Sequence, residues 1–355
     1  MERGFRSNSK SASPGPCRRA MTDIPAIRPP RMFPRGVTAL LLAAVLSGSG
    51  MADGPSLRRA YSTAQVDWPA VREQPGARIA SFAPLPEPPP ASPLSELGAR
   101  LFSDPALSAR GDISCASCHS GGIIPASGAR RPAPLTGLSR RQDFGWDGGR
   151  AALRAAIAAP LLDPHEMANP ALEEAAARAG IAPALLLPAL EAHLTRLETP
   201  GRFDRFLHGE TEALTETELR GFHLFRTRAG CANCHSGPDL SDGLFHNLGL
   251  SAYGEPGEDL GHHRITGAVA DAGRFRTPSL RGVGRAAPYM HTGRFPTLES
   301  VVRFYAGGGG KVWIRNADEA RDPLHVEAAR VSPLLAPRAL SEAEIQAIVA
   351  FLDAL

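Results

Sequence analysis

Apolar positions recur at helical spacing near the end of the chain, where Ile345, Ile348, Val349 and Leu352 share one face. Ser341 and Glu344 precede them as a capping box, so the pattern predicts a terminal helix. Two shorter segments, Leu97-Gly98-Ala99-Arg100-Leu101-Phe102 and Leu219-Arg220-Gly221-Phe222-His223-Leu224-Phe225, read as short amphipathic helices of similar pattern. Thr215 and Glu218 cap the second. Asn169-Pro170 predicts a helix start and Gly180 its end. Another helix is predicted over residues 183–197, broken by Thr199-Pro200-Gly201, and a further one over Leu298–Ala306. Strand signals are sparse. Residues 53–93 carry Pro84, Pro86, Pro88, Pro89, Pro90 and Pro93, which predicts an extended arm on the surface. The expected fold class is mainly α with long loops.

Composition supports this reading. The 355 residues are 43% hydrophobic and 21% charged, with 36 Gly and 33 Pro. That suits short helices joined by many turns and excludes a long coiled coil or a uniformly disordered chain. Charge is uneven. Residues 1–52 hold eight basic and two acidic side chains, so against a whole-chain charge of +3 the remainder is net acidic, at −3. The basicity belongs to the leader, and nucleic acid is not an expected partner. Residues 37–46 are apolar except for Thr38. A membrane-spanning helix needs roughly 20 such residues, so no membrane span is expected. Arg31 and Arg35 before this run, and Ser47, Gly48, Ser49, Gly50 after it, have the order of a secretory signal peptide cut near Ala52. The expected location is periplasmic.

Cys17 falls in the leader. The other four cysteines form Cys115-Ala116-Ser117-Cys118-His119 and Cys231-Ala232-Asn233-Cys234-His235. Each is C-x-x-C-H. Two thiols about one helical turn apart can add to the two vinyl groups of one haem, and the next His lies beneath its iron. A single such segment also suits a redox C-x-x-C or half a zinc site. Zinc held by all four thiols would leave both histidines as coincidence. Two covalently attached c-type haems are therefore expected, with His119 and His235 as iron ligands. The chain divides into a leader (1–52), the arm (53–93) and two tandem cytochrome c-like domains (94–205 and 206–355).

Over residues 94–355 the chain resembles the bacterial dihaem cytochrome c peroxidases and their MauG-like relatives. The motifs that carry this are the segments before each C-x-x-C-H, Trp146-Asp147-Gly148, Pro164-His165-Glu166-Met167, Phe245-His246-Asn247-Leu248-Gly249, Arg276-Thr277-Pro278-Ser279-Leu280-Arg281, Pro288-Tyr289-Met290-His291-Thr292-Gly293, Thr297-Leu298-Glu299 and Phe304-Tyr305. The resemblance implies a peroxide-binding N-terminal haem, a six-coordinate C-terminal haem that relays electrons, and an intervening Trp, matched by Trp146. Glu166 matches the distal carboxylate, which can take a proton from one peroxide oxygen and give it to the other. Tyr305 falls where the family places the sixth ligand of the second haem, Met in typical peroxidases and Tyr in MauG-like enzymes. Met290 and His291 are the alternatives by ligand type.

Three departures stand out. No His lies between His119 and His165, so the first haem is expected to be open without reductive activation. A Gln that often lines the distal pocket is matched by Ala156. The Asn that holds the family's interdomain calcium is matched by Arg131, leaving a calcium ion to depend on carbonyls near Ala286 and Pro288.

The leading expectation is a periplasmic dihaem c-type peroxidase, MauG-like in ligation, that reduces hydrogen peroxide with electrons passed through the second haem. The donor would be a small cytochrome c, a cupredoxin or a protein substrate whose side chains become oxidised. The alternatives are a MauG-like oxidase of protein side chains and a purely electron-transferring dihaem cytochrome.

Overall fold

The structure is a computed structural model that describes residues 54–120, 130–198 and 200–355, with side chains from Leu57 onward. The apolar run at 37–46 and the cut near Ala52 lie outside the described residues. Helices follow in the order α1 (Gly54–Tyr61), α2 (Pro93–Ser103), α3 (Cys115–His119), α4 (Leu153–Leu162), α5 (Leu172–Arg178), α6 (Pro183–Leu194), α7 (Arg202–Leu207), α8 (Glu216–Arg226), α9 (His263–Thr266), α10 (Leu298–Ala306), α11 (Pro323–Ala328) and α12 (Glu342–Asp353). Strands β1 (Phe245–Asn247) and β2 (Arg274–Arg276) pair antiparallel with Phe245 opposite Arg276. The protein is mainly α, as the apolar pattern predicts. Among the described residues no single helix is long and apolar enough to cross a membrane.

Caps set the helix starts where the sequence places them. Thr215 accepts from the Glu218 amide and Ser341 from the Glu344 amide, and both acids reach back to complete the box. Ser114 and Ser117 make a similar box at the start of α3, which fixes the turn carrying Cys115, Cys118 and His119. One start differs. Asn169 does not open α5. It is buried, donating to the carbonyls of Leu107 and Leu161, and α5 begins two residues after Pro170. The following helix ends at Leu194, three residues short of its expected end.

Two apolar cores lie within the unit formed by residues 51–355. The first gathers Leu101 and Phe102 of α2, Ile157 and Leu161 of α4, and Leu186 and Leu190 of α6. The second gathers Phe203 and Phe206 of α7, Leu219, Phe222 and Phe225 of α8, and Ile345, Ile348 and Phe351 of α12. The chain therefore passes from one core to the other between Leu194 and Phe203, ahead of residue 205.

The cores share one packing device. A Cβ on Gly98 of α2 would stand 1.9 Å from the Ala189 carbonyl oxygen of α6, and a Cβ on Gly221 of α8 would stand 1.9 Å from that of Ala347 in α12. Only glycine lets each helix pair approach so closely.

The arm is not a free surface segment. Leu57, Tyr61 and Phe82 are buried in the second core. The Arg226 guanidinium sits 5.2–5.5 Å from the rings of Tyr61, Trp68, Phe82 and Phe222. Cation–π attraction in a dry site ties the arm to α8. Asp204 accepts the Leu85 amide at 2.7 Å and pairs with buried Arg281, which also donates to the Ala83 carbonyl. Proline keeps the arm extended, and its scattered apolar side chains bind it to the core.

Candidate active site

The two C-x-x-C-H segments stand in matching places, each beside an aromatic of the preceding helix. Phe102 of α2 is 6.3 Å from the His119 ring, and Phe225 of α8 is 6.5 Å from the His235 ring. No disulfide joins these four cysteines. Burial pushes Cys115 up to about 11 and Cys231 and Cys234 up to about 12, while Cys118 is raised too.

The C-terminal segment opens on a cavity with about 1640 Å³ of empty space, its mouth included. Cys231, Cys234, His235, Trp146, Met290, His291 and Tyr305 all line it. The His235 Nδ1 lies 2.8 Å from the Leu240 carbonyl oxygen, which fixes the ring and leaves the other nitrogen to bind a metal. Tyr305, on α10, lines the same cavity, and its phenol pKa is raised by burial first and then by the Cys234 and Cys231 thiols. His291 lines the cavity but is engaged with other groups. Its ring stacks on Phe275 at 3.7 Å, Nε2 is 4.0 Å from Asp259, and burial lowers its pKa to about 4. Two thiols on one turn, an oriented imidazole, a phenol in the same cavity and apolar walls fit a covalently held haem.

The N-terminal segment is more open. His119 ends α3 at the exposed surface, yet enough protein crowds it that lost hydration, aided by Arg131, lowers its pKa to about 4. Glu166 is half-buried after α4, and its charge acts on both Cys115 and Cys118. Burial and the nearby Asp163 raise the Glu166 pKa, while Arg150 opposes them. Ala156 packs against the first core, as a residue matched to a pocket Gln would if it had lost its polar role. Part of the loop after α3, residues 121–129, lies outside the described residues.

Trp146 joins the two halves. It is buried, lines the cavity of His235, and donates its indole N–H to the Arg131 carbonyl at 2.9 Å. The expected calcium site does not fit. The Pro288 carbonyl, one of its presumed ligands, instead accepts from the Arg131 guanidinium. A cation already holds that oxygen.

Sequence reasoning passed over Asp242 and His246. His246 lines the same cavity and meets Asp242 at 2.8 Å, and both lie within 4.8 Å of Cys234 in ligand-atom distance. The Phe-His-Asn motif contained His246, but nothing in the pattern tied it to Asp242.

A mainly helical chain with a C-x-x-C-H segment beside each of two cores has the make-up of a c-type haem oxidoreductase. Residues 92–212 match the model of the di-haem cytochrome c peroxidase family. The methylamine utilization protein MauG of Methylorubrum extorquens is 34% identical over 305 residues, covering 75% of this chain and 80% of that protein. The cytochrome c551 peroxidase of Nitrosomonas europaea is 31% identical over 240 residues, covering 59% and 71%. Among solved structures, a MauG-like protein associated with microbial copper homeostasis superposes with a TM-score of 0.64 at 29% identity, covering 76% of this chain and 93% of that one. The chain belongs to the di-haem cytochrome c peroxidase family. It is accordingly an oxidoreductase with peroxide as acceptor, and c-type haem is the cofactor that membership implies.

Proposed function

We propose that the protein is a periplasmic dihaem peroxidase, MauG-like in ligation, with haem joined covalently to Cys115 and Cys118 in the N-terminal domain and to Cys231 and Cys234 in the C-terminal one. The observation that carries this reading is that Cys231, Cys234, His235, Trp146 and Tyr305 wall one cavity. Haem, when bound, supplies the redox-active iron at which hydrogen peroxide takes up two electrons and two protons and leaves as two waters. His119 and His235 would each hold a haem iron, and Tyr305 would supply an oxygen donor to the C-terminal one.

The chain's own groups divide the remaining work. Glu166 accepts a proton at its carboxylate from one peroxide oxygen and returns it to the other. Trp146 bridges the two halves as the electron relay. A Tyr oxygen is a harder donor than Met and favours the ferric state. That suits a site that stores oxidising equivalents, and it supports oxidation of a protein side chain alongside a small periplasmic cytochrome c or cupredoxin as the electron source. Absence of a His between His119 and His165 supports an N-terminal site that is competent while fully oxidised.

The test is the optical and paramagnetic spectrum of the purified protein before and after one equivalent of hydrogen peroxide. A mixture of high-spin and low-spin haem that responds to peroxide without prior reduction is the expected result. A resting spectrum with no high-spin haem, unmoved by peroxide, would leave only an electron-transfer cytochrome.

A further inference from the structure

Arg130 and Arg131 are neighbours with opposite fates. Arg130 bridges two carboxylates, Asp147 and Asp259. Arg131 meets no carboxylate within ion-pair distance among the described residues. Its guanidinium donates to the Pro288 carbonyl, its amide donates to the His291 carbonyl at 2.8 Å, and its own carbonyl accepts the Trp146 indole N–H at 2.9 Å. The side chain is only half-buried and lines the cavity of His235, and its charge reaches His119. One residue thus touches the relay Trp, the 288–291 loop and the surroundings of both proximal histidines.

We propose that Arg131 is a positioning residue whose fixed guanidinium replaces an interdomain calcium ion, holding Trp146 against the 288–291 loop and placing a positive charge at the wall of the His235 cavity, where it also acts on His119. This rests on the dihaem reading given above. A guanidinium is planar, always charged and presents several donors in fixed directions. It can hold a backbone carbonyl as a cation would, without exchanging with solvent. Two consequences follow from the same contacts. Chelators find nothing to remove. The positive charge favours the reduced, less positive state of each haem, so its loss lowers both reduction potentials.

The test uses the holoprotein. Wild-type protein dialysed against EGTA is expected to contain no stoichiometric calcium by metal analysis and to keep its spectrum and both potentials. Arg131→Leu is expected to keep two haems per chain while both potentials fall, and Arg131→Lys to restore them towards wild type. If Arg131→Leu does not fold, Arg131→Gln, which can still donate to Pro288 without a charge, is expected to show the same fall. A calcium ion found in the wild type whose removal shifts the potentials would overturn the proposal. So would uncharged variants that carry two haems at unchanged potentials. Fewer than two haems in the wild type is a separate outcome, which defeats the dihaem reading itself.

Discussion

Trp146 gives its indole N–H to the carbonyl oxygen of Arg131 at 2.9 Å. The bond fixes the edge of the ring, and its body faces the cavity of His235 and lies 6.4 Å from the His291 ring. Trp146→Phe keeps a ring but removes the donor. Equilibrium unfolding is expected to show a loss of about 0.5–1.5 kcal/mol, the net worth of one hydrogen bond. Two haems should remain, and stopped-flow spectroscopy should show a larger effect: oxidation of the second haem by peroxide becomes slow while peroxide still reacts at the first. Equal rates in both proteins would remove Trp146 from the electron path.

In the proposed function Glu166 carries the proton step. Its pKa is raised by burial first and by Asp163 next. Protonation removes the base, so turnover should fall as pH drops through a value above the ordinary carboxylate range. Glu166→Gln should lower turnover by about 10²–10⁴-fold, the usual worth of a positioned acid–base group, and abolish that acidic limb. A variant with the wild-type limb would assign it to another group.

The Tyr305 phenol lines the C-terminal cavity, and burial raises its pKa. Tyr305→Met offers a soft neutral donor in place of a hard oxygen, so the reduction potential of the His235 haem should rise. Spectroelectrochemistry measures it. An unchanged spectrum and potential in Tyr305→Phe would shift the ligand role to Met290, which lines the same cavity.

Gly221→Ala puts a Cβ into the Ala347 carbonyl, since an ideal Cβ stands 1.9 Å away. The helices α8 and α12 must part. Overpacking of this kind costs typically 1–3 kcal/mol, so the midpoint of thermal unfolding should fall by several degrees. Retained stability would mean that the helix pair can slide without loss.

The sequence made much of this legible, for physical reasons that differ by element. The capping boxes at Thr215 and Ser341 are local, so both helix starts are where they were expected. The C-x-x-C-H spacing is likewise local, and Ser114 and Ser117 hold the first of these turns. The arm misleads because its prolines dominate the pattern, while Leu57, Tyr61 and Phe82 reach the core singly and leave no period to read. Asn169 looks like a helix cap but spends its donors on the Leu107 and Leu161 carbonyls. Arg131 was visible as a departure from the family. Its bonds to Pro288 and Trp146 join positions 157 and 15 residues apart, which no local pattern reveals.

The central claim is that peroxide is reduced on the His119 side and that the His235 side relays electrons. Replacing both first-site thiols, Cys115→Ala with Cys118→Ala, tests it most directly. Haem content per chain and peroxide turnover are measured on the same preparation. The account predicts one covalently bound haem, with the low-spin signature of the His235 site, and no turnover. Full turnover by that single-haem protein would place the reaction at His235 and contradict the account.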